Sequence, residues 1–238
     1  MTTTSTPRTT PTVTSPRVAV LAAGLFLVVT AVHLVAQLTG PEGLRVATQV
    51  VAMPLLALAL LASTRAPRAH LVRWTAVGLG LSWLGDSAPK VAGEHSFLVM
   101  VGFFLLAQVA YVVAFWPRRT ASLAHRGTRG WPFPLAAYLV VLGVFLAWCV
   151  PGAGALTVPV VLYGALLVAM AVLATGVHPL AALGGALFVL SDGLIALDAF
   201  TGWYELPWHG LAVMSTYLVA QGLLVAGVLG AYRLADRP

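Results

Sequence analysis

Two aspartates lie inside long apolar stretches of this chain, where a carboxyl group is well placed to transfer a proton. Asp86 ends the stretch "GLGLSWLGD", and Asp192 ends "LGGALFVLSD". The segment from Gly80 to Asp86 and the segment from Ala186 to Asp192 share one order of small residues, leucines and aspartate, which hints at a duplicated four-helix unit. A charge deep in a membrane costs about 2.5 to 3.5 kcal/mol on insertion scales. We therefore expect both side chains to face the interior of a helix bundle.

Each aspartate has a structural alternative to a role in chemistry. Lys90 follows Asp86 by one helical turn, and such an i, i+4 pair is ordinary at a membrane surface. Asp192 has no cation within a turn of it, so that explanation fails there. Asp198 is next to the loop sequence "FTGWYELP" and is typical of an interfacial residue. We favour a functional role for Asp86 and Asp192 only.

Polar side chains on other apolar segments are predicted to lie at the depth of the two aspartates. Several occur in pairs spaced three or four residues apart, which places them on one helix face. Singly, each is typical of a helix-to-helix hydrogen bond. Together they predict a polar cavity in the outer half of the membrane. The residues are His33, Gln37, Gln108, Tyr111, Tyr163, Tyr217 and Gln221.

The composition predicts the elements that hold these residues. The chain is 60% hydrophobic and 8% charged, which is too apolar for a soluble domain and its surface. We predict an all-α, polytopic transmembrane helix bundle at residues 17–234, after a disordered tail at residues 1–16. Eight segments have about the 17 to 25 residues that a membrane span needs. They lie near residues 18–38, 46–63, 71–88, 97–116, 133–150, 155–175, 179–200 and 208–232.

Basic residues predict the orientation of the bundle. If loops alternate between two sides, one side holds eleven arginines and the other holds only Arg45 and Lys90. The positive-inside rule then places both termini in the cytoplasm of a cell-membrane protein. The net charge of +6 thus indicates topology and lipid headgroups, and no nucleic acid partner is expected. The eleven are Arg8, Arg17, Arg65, Arg68, Arg73, Arg118, Arg119, Arg126, Arg129, Arg233 and Arg237.

Small residues near the aspartates predict close approach of their helices to neighbouring helices. These residues are Gly78, Gly80, Gly85, Gly184 and Gly185. The sequence has no cysteine and histidine cluster, phosphate-binding glycine loop or G-x-S-x-G turn, so no metal or other cofactor is expected. Cys149 is the single cysteine and cannot form a disulfide within the chain.

Five segments in a fixed order resemble the motifs of a known family. They are "GLGLSWLGD", "FLLAQVAY", "VLYGALLVAM", "LGGALFVLSD" and "STYLVAQGLL". From about residue 46 to about residue 230 the chain is similar to the YhhN-like lysoplasmalogenase family of integral membrane proteins. The resemblance implies an eight-helix fold and hydrolysis of the vinyl ether bond of lysoplasmalogens. The substrate would be a lysophospholipid-like lipid of the bilayer, and the products a fatty aldehyde and a glycerophospho-base.

Vinyl ether hydrolysis fits two neighbouring carboxyl groups. The reaction protonates the carbon β to oxygen, and water traps the resulting oxocarbenium-like ion. It requires one acid that keeps its proton at neutral pH and one anion that stabilises the cation and accepts a proton from water. Glycosidases meet a related need with two carboxyl groups. We predict that Asp86 and Asp192 are this catalytic pair, in an order that the sequence leaves open.

The chain both matches and departs from the pattern of the family that it resembles. Asp86, Ser191, Asp192, Tyr217 and Gln221 match it. The departures are Gln49, where family members carry a lysine, and Gln108, where they carry a histidine. We include Ser191, Gln49 and Gln108 among the supporting or substrate-binding residues, and the two departures predict either a different lipid substrate or a loss of activity.

Two other functions stay open at this stage. A proton-coupled transporter or a lipid-binding membrane protein would also use paired intramembrane aspartates. Apart from Pro54 and Pro159, however, no span carries the interruptions typical of discontinuous transporter helices. An inert scaffold would tolerate asparagine at both aspartate positions.

Overall fold

The computed structural model describes residues 15–125 and 132–235, in which every regular element is a helix and none is a strand. Each of the eight predicted segments coincides with one α-helix, with ends that agree to within a few residues. The helices are α1 (Pro16–Thr39), α2 (Glu42–Ala62), α3 (His70–Ser87), α4 (Ser96–Phe115), α5 (Phe133–Ala153), α6 (Thr157–Ala174), α7 (Pro179–Phe200) and α8 (His209–Ala235). Most of the predicted tail, and Arg8, Arg126, Arg129 and Arg237, lie outside the described residues.

Proline and histidine define several helix ends. Pro16 and Pro179 stand at the first position of α1 and α7, where the missing N–H has no helical partner to lose. The side chain of His178 accepts a hydrogen bond from the Leu180 N–H at 3.1 Å and so caps α7. Pro54 lies inside α2 without ending it, and membrane helices commonly tolerate such an internal proline.

Six helical stretches of the described residues are long and apolar enough to cross a membrane, and the chain is a multi-pass membrane protein. The sequence analysis predicts eight spans. The difference has two sources: α3 has charged or polar residues at both ends, and α5 and α6 fall within one stretch of 42 residues. That stretch breaks at Gly154, which has a φ of 52°, and α5 packs against α6. The six are Pro16–Thr39, Glu42–Ala62, Gly93–Ala121, Phe133–Ala174, Pro179–Phe200 and His209–Ala235.

The closest packing joins helices that follow one another in sequence. The most extensive contacts are those of α7 with α8, α3 with α4 and α1 with α2. Further contacts of α3 with α8 and of α4 with α6 bring the hairpins together. The centre holds fully buried side chains such as Tyr111, Phe188 and Leu224, whereas large apolar side chains of α1 and α5 remain exposed. These exposed faces suit contact with lipid, because the bilayer interior is as apolar as they are.

Glycine allows close helix contacts at four of the five predicted positions. A Cβ at any of the four would lie within 3 Å of an atom on a neighbouring helix, closer than real Cβ atoms come. The contacts are Gly78 with the Tyr111 ring at 2.7 Å, Gly85 with the Phe104 ring at 2.8 Å, Gly184 with the Ala220 carbonyl oxygen at 2.8 Å, and Gly185 with Ala171 Cα at 2.9 Å. The prediction is wrong for Gly80, where a Cβ would meet nothing within 4 Å.

Candidate active site

Asp86 lies in the last turn of α3 and is 6% exposed. Both of its carboxyl oxygens accept a hydrogen bond from another helix. The Tyr217 hydroxyl of α8 donates to Oδ2 at 2.8 Å, and Gln49 Nε2 of α2 donates to Oδ1 at 3.1 Å. Three helices therefore converge on one buried carboxyl group.

Lys90 reaches Asp86 through Gln49. Lys90 belongs to a short 3₁₀ turn, Ala88–Val91, that follows α3, and its Nζ donates to Gln49 Oε1 at 2.7 Å. Desolvation lowers the pKa of Lys90, and attraction to the Asp86 carboxylate opposes that shift. Lys90 therefore does not form the direct i, i+4 contact with Asp86 that the structural alternative assumes. Instead, the Gln49 amide lies between the Lys90 ammonium group and the Asp86 carboxylate.

Asp192 lies inside α7, is 8% exposed and has a simpler set of contacts. The Tyr163 hydroxyl of α6 donates to its Oδ2 at 2.5 Å. The preceding Ser191 points another way, because its hydroxyl donates to the carbonyl oxygen of Val213 in α8 at 3.1 Å. Ser191 therefore fixes α7 against α8, and Tyr163 holds the carboxyl group.

An apolar cavity of about 290 Å³ extends from Asp192 between α4, α5, α6 and α7. Asp192 and Tyr163 contribute polar atoms to a lining that is otherwise largely hydrocarbon and aromatic. The sequence analysis predicts a polar cavity, and that expectation is wrong for this one. The physical reason is that buried polar groups bond to each other across helices, which leaves apolar side chains around the open space.

Phe104 contacts both this cavity and the surroundings of Asp86. Its ring lines the cavity, packs against Gly85 and meets the Tyr217 ring edge-on, with ring centroids 5.7 Å apart. The Asp86 carboxylate nevertheless acts on Asp192 electrostatically. The two carboxyl groups are thus coupled through the bundle interior, with one aromatic ring beside both environments.

Tyr111 and Gln221 belong to a second buried network. The Tyr111 hydroxyl donates to Gln221 Oε1 at 2.7 Å, and Gln221 Nε2 donates to Ser82 Oγ at 3.0 Å. All three side chains are fully buried and join α4, α8 and α3. Their hydrogen bonds link the helices that carry Asp86 and its tyrosine partner, so they position the site.

His33 is occupied elsewhere. The Thr48 hydroxyl donates to the Leu44 carbonyl oxygen at 2.7 Å, so it accepts the 2.8 Å hydrogen bond from His33 Nδ1. That leaves His33 Nε2 to accept from Gln37 Nε2 at 3.0 Å. This network assigns a neutral imidazole with its proton on Nδ1. Both ring nitrogens are engaged by residues of α1 and α2, and neither bonds to an aspartate.

Gln108 is fully buried in α4, beside the Tyr163 hydroxyl. Neither atom of its amide forms a hydrogen bond of acceptable geometry with the described residues. A buried amide in that state is unusual because desolvation without a partner costs about 1 to 3 kcal/mol. Gln108 thus places a buried amide next to the tyrosine that bonds to Asp192.

Sequence reasoning missed three contributors to the site. The sequence predicts Lys90 only as a direct partner of Asp86, and it predicts no role for Ser82 or Phe104. Ser82 precedes Asp86 by four residues, a spacing that already places both on one helix face. Phe104 gives no comparable signal among the many apolar residues of α4. Within residues 15–125 and 132–235 no group of three or more histidine, cysteine, aspartate or glutamate side chains could hold a metal ion.

Comparison with known families adds one decisive match. The sequence profile of the YhhN family matches residues 44–228, which is most of the chain. The chain belongs to the YhhN family. The YhhN match begins in α2 and ends in α8, so it includes both aspartates and every side chain that bonds to them. Comparisons with curated proteins and with solved structures found no match.

Proposed function

We propose that this YhhN-family protein is a membrane-embedded hydrolase that cleaves the vinyl ether bond of lysoplasmalogen-type lipids. The observation that carries the proposal is the position of buried Asp192 at an apolar cavity whose lining residue Phe104 also packs against Gly85, next to a second buried carboxyl group, Asp86. The products are a fatty aldehyde and a glycerophospho-base.

The cavity suits one hydrocarbon chain of a lipid. Leucine, valine and phenylalanine side chains dominate its lining, and ligand pockets generally have volumes of about 300 Å³ or more. A single chain is what a lysolipid carries. With that chain among α4, α5, α6 and α7, the vinyl ether lies at the polar end of the cavity, where Asp192 and Tyr163 are.

The chemistry needs one proton donor and one anion. Proton transfer to the carbon β to oxygen makes an oxocarbenium-like ion, which a carboxylate stabilises and water attacks at the neighbouring carbon. Loss of a proton from that water gives a hemiacetal, and cleavage of its bond to the glycerol oxygen yields aldehyde and alcohol. Asp86 and Asp192 supply these two roles as an acid and base pair.

The membrane topology of this proposal has eight spans and cytoplasmic termini in the cell membrane. The eight described α-helices alternate in direction if each crosses once, which gathers eleven of the twelve arginines on one side. Arg45 and Lys90 then lie on the opposite side, together with the end of α3 that carries Asp86. Lipid would therefore enter from the outer half of the membrane.

Transport is the second candidate, and one observation favours it. Exposed Lys90, Gln49, buried Asp86 and Tyr217 form a continuous row of hydrogen-bonding groups from the surface into the bundle. Such rows relay protons in pumps and transporters. The apolar character of the cavity at Asp192 favours lipid hydrolysis over the movement of a polar solute.

The test is aldehyde release by the purified, detergent-solubilised full chain. Wild type should release fatty aldehyde from a lysoplasmalogen and none from the saturated alkyl ether analogue, which lacks the double bond that accepts a proton. Asp86→Asn and Asp192→Asn should abolish release. Asp198→Asn is the matched control, because Asp198 lies on α7 but pairs with His209 at 3.9 Å, away from the site. A folded wild type without aldehyde release, but with proton-coupled uptake in liposomes that Asp86→Asn abolishes, would establish transport instead.

A further inference from the structure

Hydrogen-bond donors are distributed unequally between the two aspartates. Asp86 accepts one at each oxygen, from Gln49 and Tyr217. The described residues give Asp192 one such bond, from Tyr163 to Oδ2. Donors at both oxygens favour an ionised carboxylate, because a protonated carboxyl group must also donate.

Lys90 fixes the orientation of the Gln49 amide. An ammonium group can only donate, so Gln49 must turn its oxygen toward Lys90 Nζ at 2.7 Å. The amide nitrogen then faces Asp86 Oδ1 at 3.1 Å and can only donate to it. The contact with Lys90 therefore requires an acceptor at Asp86 Oδ1, which excludes a proton on that oxygen.

Charge acts in the same direction. The Lys90 cation lies on the Asp86 side of the pair, and because the two carboxylates repel each other equally, this cation favours Asp86 as the one that is ionised. A nearby cation favours the charged form of a carboxyl group, and a nearby anion favours the neutral form. Asp192 also lines an apolar cavity, which disfavours a charge there.

We infer that Lys90 and Gln49 are a positioning pair that holds Asp86 as the anion of the site, which makes Asp192 the proton donor. The inference rests on the proposed function for its chemistry. Asp192 protonates the β carbon of the vinyl ether, and the electron pair of the double bond forms the new C–H bond. Asp86 then takes a proton from the attacking water. When the hemiacetal C–O bond breaks, its hydroxyl proton returns to Asp192, and the glycerol oxygen takes the proton from Asp86.

Other groups around Asp86 do not supply a cation. Tyr217 of α8 and Tyr111 of α4 are neutral donors, and Asp192 of α7 is a second acid. Removal of Lys90 should therefore make the ionisation of Asp86 more costly. The acidic limb of the pH–activity profile, which requires an ionised Asp86, should move to higher pH.

The first experiment compares variants of the full chain in the aldehyde assay across pH. Lys90→Met should lower kcat at least about tenfold, with a smaller change in KM, because it removes the charge-assisted hydrogen bond that orients the Gln49 amide. The double variant Gln49→Lys with Lys90→Met puts a cation directly beside Asp86 and should restore both kcat and the acidic limb.

Arg45→Met is the matched control, since it removes a cation from the same end of α2 without touching the Gln49 amide. An active wild type with an unchanged Lys90→Met profile, or no rescue by the double variant, would overturn the inference.

The second experiment reads protonation without turnover. Infrared spectra of the wild type at neutral pH should contain the carbonyl band of one buried, protonated carboxyl group. Asp192→Asn should remove that band, Asp86→Asn should keep it, and Lys90→Met should add to it as Asp86 takes up a proton. Loss of the band in Asp86→Asn would reverse the assignment. If the wild type releases no aldehyde but the bands follow this pattern, the proposed function fails while the charge assignment stands.

Discussion

The Tyr163 hydroxyl of α6 donates to Oδ2 of Asp192 in α7 across 2.5 Å. This bond occupies one carboxyl oxygen, and none of the described residues donates to the other, which can meet a molecule in the cavity that both residues line. It also joins two packed helices at the point where the cavity begins. If Asp192 is the proton donor proposed above, Tyr163 fixes the direction in which its carboxyl group points.

Tyr163→Phe should reduce kcat/KM for aldehyde release about tenfold and leave the fold intact. The expectation follows from the loss of one hydrogen bond, worth roughly 1 kcal/mol, and of the orientation that it gives Asp192. Kinetics in detergent, with size-exclusion chromatography to verify folding, measure the effect. Tyr138→Phe is the control, since Tyr138 is a partly buried tyrosine of α5 that packs on the core. Equal losses in both variants would mean that Tyr163 has only a packing role.

Gly184→Ala should destabilise the bundle by about 1 to 3 kcal/mol, the usual cost of overpacking. Its Cβ would lie 2.8 Å from both the Ala220 carbonyl oxygen and the Leu224 nitrogen, which are backbone atoms that cannot rotate away. Helices α7 and α8 would have to separate. Gly80→Ala is the matched control, because the space around Gly80 is open and alanine favours a helix. Thermal unfolding in detergent should show a lower midpoint for Gly184→Ala and an unchanged or higher one for Gly80→Ala.

Most of the fold could be predicted from the sequence because the membrane simplifies the problem. A span must be long, apolar and helical, since every backbone polar group needs a partner within it. All eight helices therefore lie where the apolar segments predict them. The number of spans is less secure where those signals weaken: Arg73 and Asp86 interrupt the hydropathy of α3, and Gly154 gives only a short break between α5 and α6.

The sequence predicts the two aspartates and several of their buried neighbours, but not Ser82 or Phe104 and not the hydrogen bonds that connect these residues. The cost of burying a charge identified Asp86 and Asp192, and helical spacing identified Tyr217 and Gln221 as residues that face inward. No local pattern shows that Gln49 bonds to both Asp86 and Lys90, because that contact depends on how α2 packs against α3. The packing of the helices likewise determines which buried polar side chains form hydrogen bonds with each other.

Packing also decides what lines the cavity. Apolar residues such as Val101, Leu105 and Phe145 come from different helices and meet only when α4 and α5 are placed together. Sequence periodicity cannot distinguish such residues from others on the same helices that face lipid. A cavity does lie at Asp192, but its lining is apolar where the sequence predicts a polar one.

Gln108→Met should raise the thermal midpoint of the protein or leave it unchanged. The substitution removes a buried amide whose nitrogen and oxygen both lack a partner among the described residues, and methionine fills a similar volume. If the amide serves the reaction beside Tyr163, the same variant should lower kcat for aldehyde release. Thermal unfolding and the aldehyde assay on one preparation separate the two effects. A lower midpoint would mean that Gln108 has a stabilising partner in the folded protein.

Gly102→Leu should shorten the hydrocarbon chain that the protein accepts. Gly102 lines the cavity, and a Cβ there would meet nothing within 4 Å, so a larger side chain can start from this position without displacing a helix. Activity on lysoplasmalogens with long chains should fall at least about tenfold, since a filled pocket excludes the methylene groups that bind there at about 0.8 kcal/mol each. Activity on short chains should be retained.

Gly143→Leu is the matched control for this prediction, because Gly143 lies on α5 with open space around it and does not line the cavity. The measurement is kcat/KM for a series of lysoplasmalogens that differ only in chain length, with both variants checked for folding. A uniform loss over all chain lengths in Gly102→Leu would indicate damage to the fold. An unchanged series would mean that the hydrocarbon chain binds elsewhere, and the cavity at Asp192 would lose its role as the chain site.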